Sequence, residues 1–553
     1  MNLLTDQWIP VRPLEGSKAG KITLRNLLCG KEKWEVCLPR DDMELAAIQL
    51  LICITQTLIT PKTARELRSY IAKPLSEVDY ETAIHPYGDW FQLDHPKFPF
   101  MQVRGVIAKI ITPMDKLLAG LTGAENCCFV NEPGLATRLC GGCTAIALFN
   151  QASCSPSFGG GNEGGFKPGL RGSSPITTLV QGQHLRQTVW LNVLYQGQLD
   201  QNISWHNSAK YQKPTWIDPI KRGANIHVQQ IGIIRGLLWQ PAHVELLLSK
   251  EDATCSCCGF SAHQVYRGFI KEQFGFNVIG KWPHPYSSRK MINNKGKIEE
   301  RFASFKTSIP SWTQLGRFIV RRKLTVNMKE GQQPAAVIHQ VRNQQMYGNS
   351  ADQLHLLIGG YRTDNAKVLE RCHDVYTLNH GWERNAVLIN QIVHSALAYR
   401  DALYTALYDF AHGMQVKSSG NRELKLKGAL RGKDKEKDKI KTYFRRADAS
   451  MPRDKKSRIY FLAEAQFFRR SESTLESMLA RIDFANPEIV LTNMRRYLRR
   501  ISENIFDETV NTYRHDPEVI RTIAFTRIML RKKLNDLEPQ QGKGGNNGAT
   551  ETP

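Results

Sequence analysis

The 553-residue sequence has no hydrophobic run long enough to cross a membrane. Its most apolar stretch, Leu45 to Ile59, is shorter than the roughly 20 residues that a transmembrane helix needs, and it is interrupted by Gln49 and Gln56. This stretch therefore predicts a buried helix. The amino terminus also lacks the basic region and apolar core of a signal peptide, so we expect a cytoplasmic protein without a membrane partner.

Cysteine is too sparse for a disulfide scaffold, with 12 residues in the whole chain. Two C-x-x-C pairs stand out, Cys140 with Cys143 and Cys255 with Cys258. A two-residue spacer lets one tight turn direct both sulfurs at one ion, so the four thiolates predict a structural zinc site with no open position for catalysis. Cys257 is an alternative fourth ligand, and cysteines buried in the core without metal are the alternative to a zinc site.

Acidic residues are few relative to basic ones. The chain has 75 Lys and Arg against 52 Asp and Glu, a formal net charge of +23 and a pI near 9.5. This balance favours a polyanionic partner, and nucleic acid is the leading class. The segment from Lys417 to Arg458 alone holds 16 basic and 6 acidic residues, roughly +10. We interpret this basic insertion as an arm that contacts nucleic-acid backbone, with a solvated loop as the alternative.

The sequence also lacks the complete signature of the enzyme classes that its motifs suggest. His243-Val244-Glu245 is an H-x-E motif, but neither cysteine pair follows a proline, as zinc deaminases require. A nuclease would require an H-N-H cluster or a carboxylate-rich metal site, and neither is evident in the sequence. We therefore expect no catalytic residues. The competing hypotheses are a DNA-modifying enzyme or nuclease with a structural zinc site, and a free-standing zinc-dependent transcription factor.

A glycine-rich stretch runs from Ser157 to Gly172, "SFGGGNEGGFKPGLRG". It contains G-x-G-x-x-G, but no strand-like segment precedes it and Pro168 interrupts a following helix, so a dinucleotide-binding turn is excluded. It also lacks the Gly-Lys-Ser/Thr of a phosphate-binding P-loop. The remaining interpretations are a flexible loop, or a loop whose backbone approaches a ligand closely, with Lys167 and Arg171 available for phosphate.

The chain changes character after about residue 380. Residues 1–380 mix short helices with β-like runs such as Gln187 to Leu194 and Phe318 to Arg322, which predicts an irregular mixed α/β body. Residues 381–538 predict an all-α four-helix bundle that contains the basic insertion, and the polar tail 539–553 is expected to be disordered. The four predicted amphipathic helices are 383–412, 458–481, one that begins at Asn486-Pro487, and one from Asp516-Pro517 to about Leu534.

Many motifs along residues 1–380 occur together in one known family, in the same order. They are "LPRDDMELAA", "FPFMQ", "TPMDKLLAG", "FVNEPG", "LCGGCTAIALFNQ", "FGGG", "GLRG", "GLLWQPAH", "CSCCG", "WPHP", "PSWTQ", "IGGYR" and "LERCHD". The sequence thus resembles the CasA-type large subunit of Cascade, the type I-E CRISPR surveillance complex.

The resemblance implies a non-enzymatic subunit with a mixed α/β body and a four-helix bundle. Such a subunit recognises a short protospacer-adjacent motif in double-stranded DNA, promotes unwinding and pairing of the target strand with the guide RNA, and helps recruit a helicase-nuclease. The implied partners are CRISPR guide RNA, target DNA, the helicase-nuclease and Cascade subunits of the CasB, CasC, CasD and CasE types, in a prokaryotic cytoplasm.

The resemblance also assigns residues to these roles. The loop "FVNEPG" corresponds to the segment that contacts the guide-RNA handle, with candidates Phe129, Val130 and Asn131. The family's glycine loop, which enters the minor groove of the motif duplex, corresponds to Ser157, Phe158, Gly159, Gly160 and Gly161. Here Ser157 replaces a glycine of a close relative, and Asn162 to Gly165 is an insertion.

Two further DNA-reading positions depart from the family pattern. A lysine that reads the minor groove corresponds to Gln273, with Lys271 as a substitute two residues earlier. An Asn-Gln pair that wedges the duplex corresponds to Asp364-Asn365, where the carboxylate is repelled by phosphates unless a base amino group or a neighbouring cation pairs with it. We therefore predict an altered motif preference. For DNA backbone contacts we expect Lys167, Arg171, Arg362 and Lys367.

Overall fold

The structure is a computed structural model. It describes residues 1–538 except 17, 109, 121–135, 157–168, 273–274, 295, 306–308, 326–329, 345–352, 365–366, 413–414, 419–421, 426–457 and 516. The polar tail 539–553 therefore lies outside the described residues, as does most of the basic insertion.

The chain forms two compact units. The first comprises Met1–Thr307 and Leu315–Glu383, and the second comprises Ser308–Gln314 and Arg384–Pro553. The expected fold class is confirmed, because the first unit is a mixed α/β body with small sheets and the second contains long helices. The inclusion of Ser308–Gln314 in the second unit was not predicted from the sequence.

The first unit contains short helices around one long buried one. They are α1 (Leu24–Cys29), α2 (Asp41–Leu58), α3 (Ala64–Ala72), α4 (Glu77–Ile84), α5 (Gly141–Ser153), α6 (Leu185–Asn192), α7 (Gln196–Asn202), α8 (Ile233–Leu237), α9 (Leu315–Ile319) and α10 (Ala336–Gln344). Short 3₁₀ helices lie at His85–Phe91, Met114–Leu117 and Val228–Gln230.

The strands of the first unit are also short, except for the last two. They are β1 (Ile9–Pro13), β2 (Gly20–Ile22), β3 (Trp34–Val36), β4 (Thr112–Pro113), β5 (Leu139–Cys140), β6 (Thr177–Gln181), β7 (Asn225–His227), β8 (His243–Ser249), β9 (Ala253–Thr254), β10 (Ser261–Ala262), β11 (Val265–Glu272), β12 (Asn277–Ile279), β13 (Arg289–Asn294), β14 (Lys297–Phe302), β15 (Glu330–Gln333), β16 (Leu354–Asp364) and β17 (Lys367–Leu378).

These strands form separate small sheets rather than one large sheet. Three-stranded sheets have the orders β2-β1-β3, β14-β13-β15 and β17-β16-β6. A four-stranded sheet has β11 next to β4, β5 and β8, and β9–β10 and β7–β12 are two-stranded; among the described strands, β7–β12 is the parallel pair. Because β11 pairs with three strands, it joins segments that are far apart in sequence.

Helix α2 is the apolar stretch that the sequence predicted as a buried helix. Its residues are almost all inaccessible to solvent, and it packs against α5, α6 and β17. Asp41 and Asp42 lie in the first turn, where their carboxylates accept hydrogen bonds from the backbone N–H groups of Asp42 and Met43. Negative charge there also complements the helix dipole.

Two β-like runs are helical in the structure. Gln187 to Leu194 lies mostly in α6, and Phe318 to Arg322 begins in α9. The imidazole of His184 caps α6 by accepting a hydrogen bond from the backbone N–H of Gln187. All but one of the α6 residues are buried, so the sequence of this helix does not show the separate polar and apolar faces of a surface helix. The prediction of strands there is wrong because burial, rather than β-propensity, sets the conformation.

The second unit contains the four predicted long helices. They are α11 (Trp382–His412), α12 (Arg458–Arg481), α13 (Glu488–Asn511) and α14 (Pro517–Asp536), and α11 begins two residues before the unit boundary. Interhelical ion pairs join Arg400 to Glu464 and Arg470 to Glu508. The unit is not purely helical, because β18 (Gln415–Ser418) and β19 (Arg422–Lys425) form an antiparallel hairpin at the start of the basic insertion. Among the described residues, no helix combines the length and apolar content of a membrane span.

Candidate functional site

A four-cysteine cluster, Cys140, Cys143, Cys255 and Cys258, lies at the N-terminal end of α5. Its four Sγ atoms are all within 4.8 Å of one another, and the first three residues are buried. Cys257 is not part of this set, so the structure selects Cys258 over Cys257 as the fourth thiol. The arrangement could hold a metal ion.

Strand pairing brings the two halves of the four-cysteine cluster together. Strand β5 leads directly into α5, and Cys140 pairs with Val265 of β11. The second half lies in the turn of the β9–β10 hairpin, immediately before β11, where Gly259 has a φ of +74°. A side chain would strain this turn. The backbone N–H of Cys140 donates to the sulfur of Cys255 at 3.3 Å, which fixes the two halves to each other.

The electrostatic environment favours a thiolate at Cys140 in particular, whereas hydrogen bonding to Cys140 raises the pKa of the Cys143 and Cys258 thiols. Hydrogen bonds from the other three cysteines lower the pKa of the Cys140 thiol. The ammonium group of Lys21, on β2, lies 3.1 Å from the Cys140 sulfur. Burial is the largest single influence and lowers the pKa of Lys21, but the charges of Cys140, Cys258 and Cys143 and the hydrogen bond to Cys140 together raise it. Closely grouped, buried sulfur donors fit a metal that prefers soft ligands in a closed site.

The opposite end of α5 leads into the glycine-rich stretch. Residues 157–168 lie outside the described residues, so the expectations for Ser157 to Gly161 and for Lys167 are not addressed by the structure. The described flanks are fastened to α5. A Cβ atom on Gly169 would lie 2.2 Å from the carbonyl oxygen of Ala152, so only glycine allows this close approach.

Arg171 is a core residue, contrary to the expectation that it contacts DNA backbone. Only 3% of its surface is exposed. Its guanidinium donates to the carbonyl oxygen of Ser153 at 2.7 and 3.1 Å, and so satisfies an acceptor at the end of α5 that has no partner within the helix. Its remaining hydrogen bonds go to Gln49, Cys154, Thr177 and Ser287. No donor is left over for a phosphate outside the fold.

Tyr361 fastens the same end of α5 to the β16–β17 hairpin. Its hydroxyl accepts a hydrogen bond from Asn150 at 2.7 Å and donates to Asp42 at 2.8 Å. Burial, together with the Asp42 carboxylate, raises the pKa of Tyr361 and keeps this donor protonated. Asp42 is held in turn by Arg40. We call these contacts, together with those of Arg171, the α5 C-terminal network.

The hairpin beyond Tyr361 carries four of the predicted DNA contacts. Asp364 ends β16 and pairs in register with Lys367 at the start of β17, whereas Asn365 lies outside the described residues. The guanidinium of Arg362 is paired with Glu370 across the hairpin, and only 14% of this side chain is exposed. Arg362 therefore offers little surface to DNA backbone.

The end of β11 is another predicted DNA-reading position. Lys271 pairs in register with Val244 of β8, and its neighbour Glu272 hydrogen-bonds to His243 at 2.6 Å. Gln273 follows directly but lies outside the described residues, as do Phe129, Val130 and Asn131 of the predicted guide-RNA loop. Strand β11 thus links this position to the four-cysteine cluster through its pairing with β5.

Comparison with known proteins identifies the family of this chain. The family model of the CRISPR-associated protein Cse1 matches residues 2–505 of the chain. The chain belongs to the Cse1 family. Its resemblance to CasA-type large subunits is therefore confirmed, since CasA and Cse1 name the same protein in solved relatives.

Solved Cse1 structures have the same fold at low sequence identity. Thermus thermophilus CasA (Cse1) has a TM-score of 0.68 and 16% identity, covering 97% of this chain and 99% of that one. Cse1 from Acidimicrobium ferrooxidans gives 0.68 and 16%, covering 98% and 99%. A chain of a CRISPR RNA-guided surveillance complex gives 0.63 and 14%, covering 96% and 99%. The Cse1 fold thus extends over nearly the whole chain.

Sequence reasoning missed the α5 C-terminal network of this Cse1-family chain. Arg171 is predicted to contact phosphate because it lies in the glycine-rich stretch, whose backbone could approach a ligand closely. The one available signal was the position of Arg171 just after a stretch that must return to α5, since buried helix ends require donors. Tyr361, in "IGGYR", gave no separate signal.

Proposed function

We propose that this Cse1-family chain is the non-catalytic large subunit of a type I-E Cascade complex in antiviral defence. In this role it recognises the protospacer-adjacent motif in double-stranded DNA, promotes unwinding and guide–target pairing, and helps recruit the helicase-nuclease. Its partners are the guide RNA and Cascade subunits of the CasB, CasC, CasD and CasE types. The competing enzyme hypothesis gains no support from the described residues, where the cysteines form a closed cluster without an open ligand position.

One observation carries the proposal: α5 provides a common base for the proposed DNA-reading segments. The glycine-rich stretch follows its C-terminal end, and Asn150 in its last turn is hydrogen-bonded to Tyr361, three residues before Asp364. Segments that read one short motif must keep a fixed spacing, because a misplaced contact loses its hydrogen bond. The α5 C-terminal network supports such spacing for the glycine loop and the β16–β17 hairpin.

The N-terminal end of α5 extends this base to the third reading position. Strand β5, which precedes α5, is paired with β11, and β11 ends at Lys271 and Glu272, just before Gln273. We propose that Cys140, Cys143, Cys255 and Cys258 hold a structural zinc ion there. Zinc supplies a fixed cross-link between the two segments and no reaction chemistry, because all four positions are taken by protein thiolates.

A motif-library experiment tests the proposal. The chain is assembled with guide RNA and the other subunits, and binding is measured on target DNA whose motif bases are randomised. We expect a preferred motif that differs from the usual family preference, because Gln273 and Asp364-Asn365 replace family residues. Gln273→Ala and Asn365→Ala should each change that preference, whereas Gln187→Ala on α6 serves as a control.

Two results would contradict parts of this proposal. Binding that ignores the motif bases would remove motif recognition as a function, and the usual family preference would refute the altered reading. Cleavage or modification of DNA by the purified chain with divalent metal, abolished by mutation of its own residues, would favour the enzyme hypothesis instead.

The basic insertion is proposed to hold displaced or flanking DNA through backbone charge. Lysine and arginine contacts release condensed counterions, so each one steepens the salt dependence of affinity. Replacing residues 426–457 by a Gly-Ser linker of equal length should flatten the plot of log affinity against log salt without changing motif preference. An unchanged slope would contradict this role.

A further inference from the structure

A cleft of about 370 Å³ lies beside the segment that follows the glycine-rich stretch. Ser173 and Ser174 line one side of it, and Thr363 at the end of β16 lines another. Lys281 and Arg301 contribute from two further segments, so the cleft brings together four parts of the first unit. None of these five residues is among the predicted DNA or RNA contacts.

The cleft has the chemistry of an anion site. Of the lining residues that the structure describes, three are cations, four carry hydroxyl groups, and none carries a carboxylate. Of the cations, Arg171 is buried and committed to the α5 C-terminal network, whereas Lys281 and the Arg301 side chain are exposed. Phosphate groups are bound by this combination of Lys, Arg and hydroxyl donors.

Arg301 is oriented by a neighbour outside the lining. Its Nε and Nη2 atoms donate to the two carboxylate oxygens of Glu299 at 2.9 and 2.8 Å, which leaves Nη1 out of this pair. The side chain remains 56% exposed. The charge of Lys281 also acts on Glu299 and lowers the pKa of that carboxyl after the larger effect of the Arg301 hydrogen bond. Glu299 thus fixes the orientation of Arg301, and Lys281 lines the same cleft.

The hydroxyl side of the cleft joins the two proposed DNA-reading segments. The Oγ of Ser174 lies 2.8 Å from the Oγ1 of Thr363. Ser174 follows the glycine-rich stretch, and Thr363 immediately precedes Asp364-Asn365. A ligand in this cleft would therefore lie between the points where the two segments join the rest of the first unit.

We infer that the cleft binds a backbone phosphate of the target DNA duplex beside the motif. The inference rests on the proposed function. Target DNA is favoured over guide RNA because the cleft adjoins the C-terminal side of the glycine stretch and the β16–β17 hairpin. The proposed guide-RNA residues 129–131 instead precede the opposite end of α5. A phosphate contact positions the duplex and carries no base information.

The test uses the assembled complex and the double variant Lys281→Gln with Arg301→Gln. We expect weaker binding to target duplex by the same factor for every motif. The slope of log affinity against log salt should become shallower by about 0.9 for one lost phosphate contact. The loss of affinity between 50 and 200 mM salt should then be about 3.5-fold smaller in the double variant than in the unmodified complex. The charge-preserving variant Lys281→Arg with Arg301→Lys should keep most of the slope.

A matched control removes the same charge elsewhere in the first unit. Lys62 and Arg65 are an exposed Lys and Arg outside the cleft, and Lys62→Gln with Arg65→Gln changes net charge equally. Equal slopes for the cleft and control variants would overturn the inference. A loss of guide-RNA incorporation measured without DNA would also overturn it, because the phosphate would then belong to RNA. An altered motif preference with an unchanged slope would overturn the inference as well, because the two cations would then affect base reading without contacting a phosphate.

Discussion

The two ends of α5 are fastened in different ways. At the N-terminal end, four thiols from two chain segments converge within 4.8 Å, an arrangement that suits one metal ion. At the C-terminal end, Arg171 and Tyr361 make several separate hydrogen bonds to α2, α5 and β6. The helix has 13 residues and is about 20 Å long, so the two ends do not share partners.

This difference predicts different responses to mutation. A metal site loses its cross-link when one ligand is removed, because the remaining thiolates no longer complete the coordination. A hydrogen-bond network loses stability in steps, since each bond contributes separately. The contrast teaches that the proposed zinc site would position one end of the helix in an all-or-none way, whereas the hydrogen bonds at the other end act in a graded way.

The largest effect is expected at the four-cysteine cluster. Cys140→Ser should abolish stoichiometric zinc and leave the chain largely insoluble, because binding free energies of about 10 to 16 kcal/mol for structural zinc match or exceed a typical stability of about 5 to 15 kcal/mol. Metal content is measured by mass spectrometry on the soluble full chain that purification recovers, and the soluble yield is compared between variants. Cys257→Ser is the matched control and should retain about one zinc per chain. Equal zinc content in both variants would argue against the cluster as the metal site.

A smaller but substantial loss is expected at the other end of the helix. Arg171→Met should lower the free energy of unfolding by about 3 kcal/mol, because the carbonyl of Ser153 and the amide oxygen of Gln49 lose buried donors. Urea unfolding of the full chain measures this, and Arg222→Met at an exposed position is the control. Zinc content should stay unchanged. A stability equal to that of the control would show that the buried guanidinium contributes nothing net.

Tyr361→Phe separates one hydroxyl from the rest of the network. We expect a loss of about 1 to 2 kcal/mol, because Asp42 loses a donor and Asn150 an acceptor in a buried environment. Tyr286→Phe is a close control: this ring is equally buried, and its hydroxyl has no hydrogen-bond partner among the described residues. Urea unfolding should leave the control within error of the unmodified chain. A similar loss in both variants would mean that ring packing, not hydrogen bonding, explains the effect.

The smallest effect is expected at Lys21, which contacts the cluster without being a ligand. Lys21→Met should weaken zinc affinity about tenfold while the fold is retained, because a charge that stabilises the Cys140 thiolate is lost. Competition with a chromogenic chelator measures the affinity. Lys18→Met, an exposed neighbour on the same segment, should leave it unchanged. An unchanged zinc affinity in Lys21→Met would show that the four thiols alone set the affinity, without a contribution from Lys21.

Much of the organisation could be predicted from local patterns. The four long helices of the second unit agree with their predicted bounds to within a few residues, because amphipathic spacing and proline at the helix start are local signals. The cysteine pairs were likewise visible from spacing alone. Strands were predicted for the buried runs of α6 and α9, because a helix buried all round loses the amphipathic pattern.

The sequence by itself determined the fold class, the family and the two cysteine-rich segments, since composition, helical periodicity and short motifs are properties of neighbouring residues. Only the tertiary structure decided that Cys258 rather than Cys257 completes the cluster, that Arg171 is a core residue, and that Lys281 and Arg301 share a cleft with Ser174 and Thr363. The physical reason is that these outcomes depend on strand pairing between segments more than 100 residues apart and on which buried helix end lacks a donor. Neither quantity is encoded in the spacing of adjacent residues.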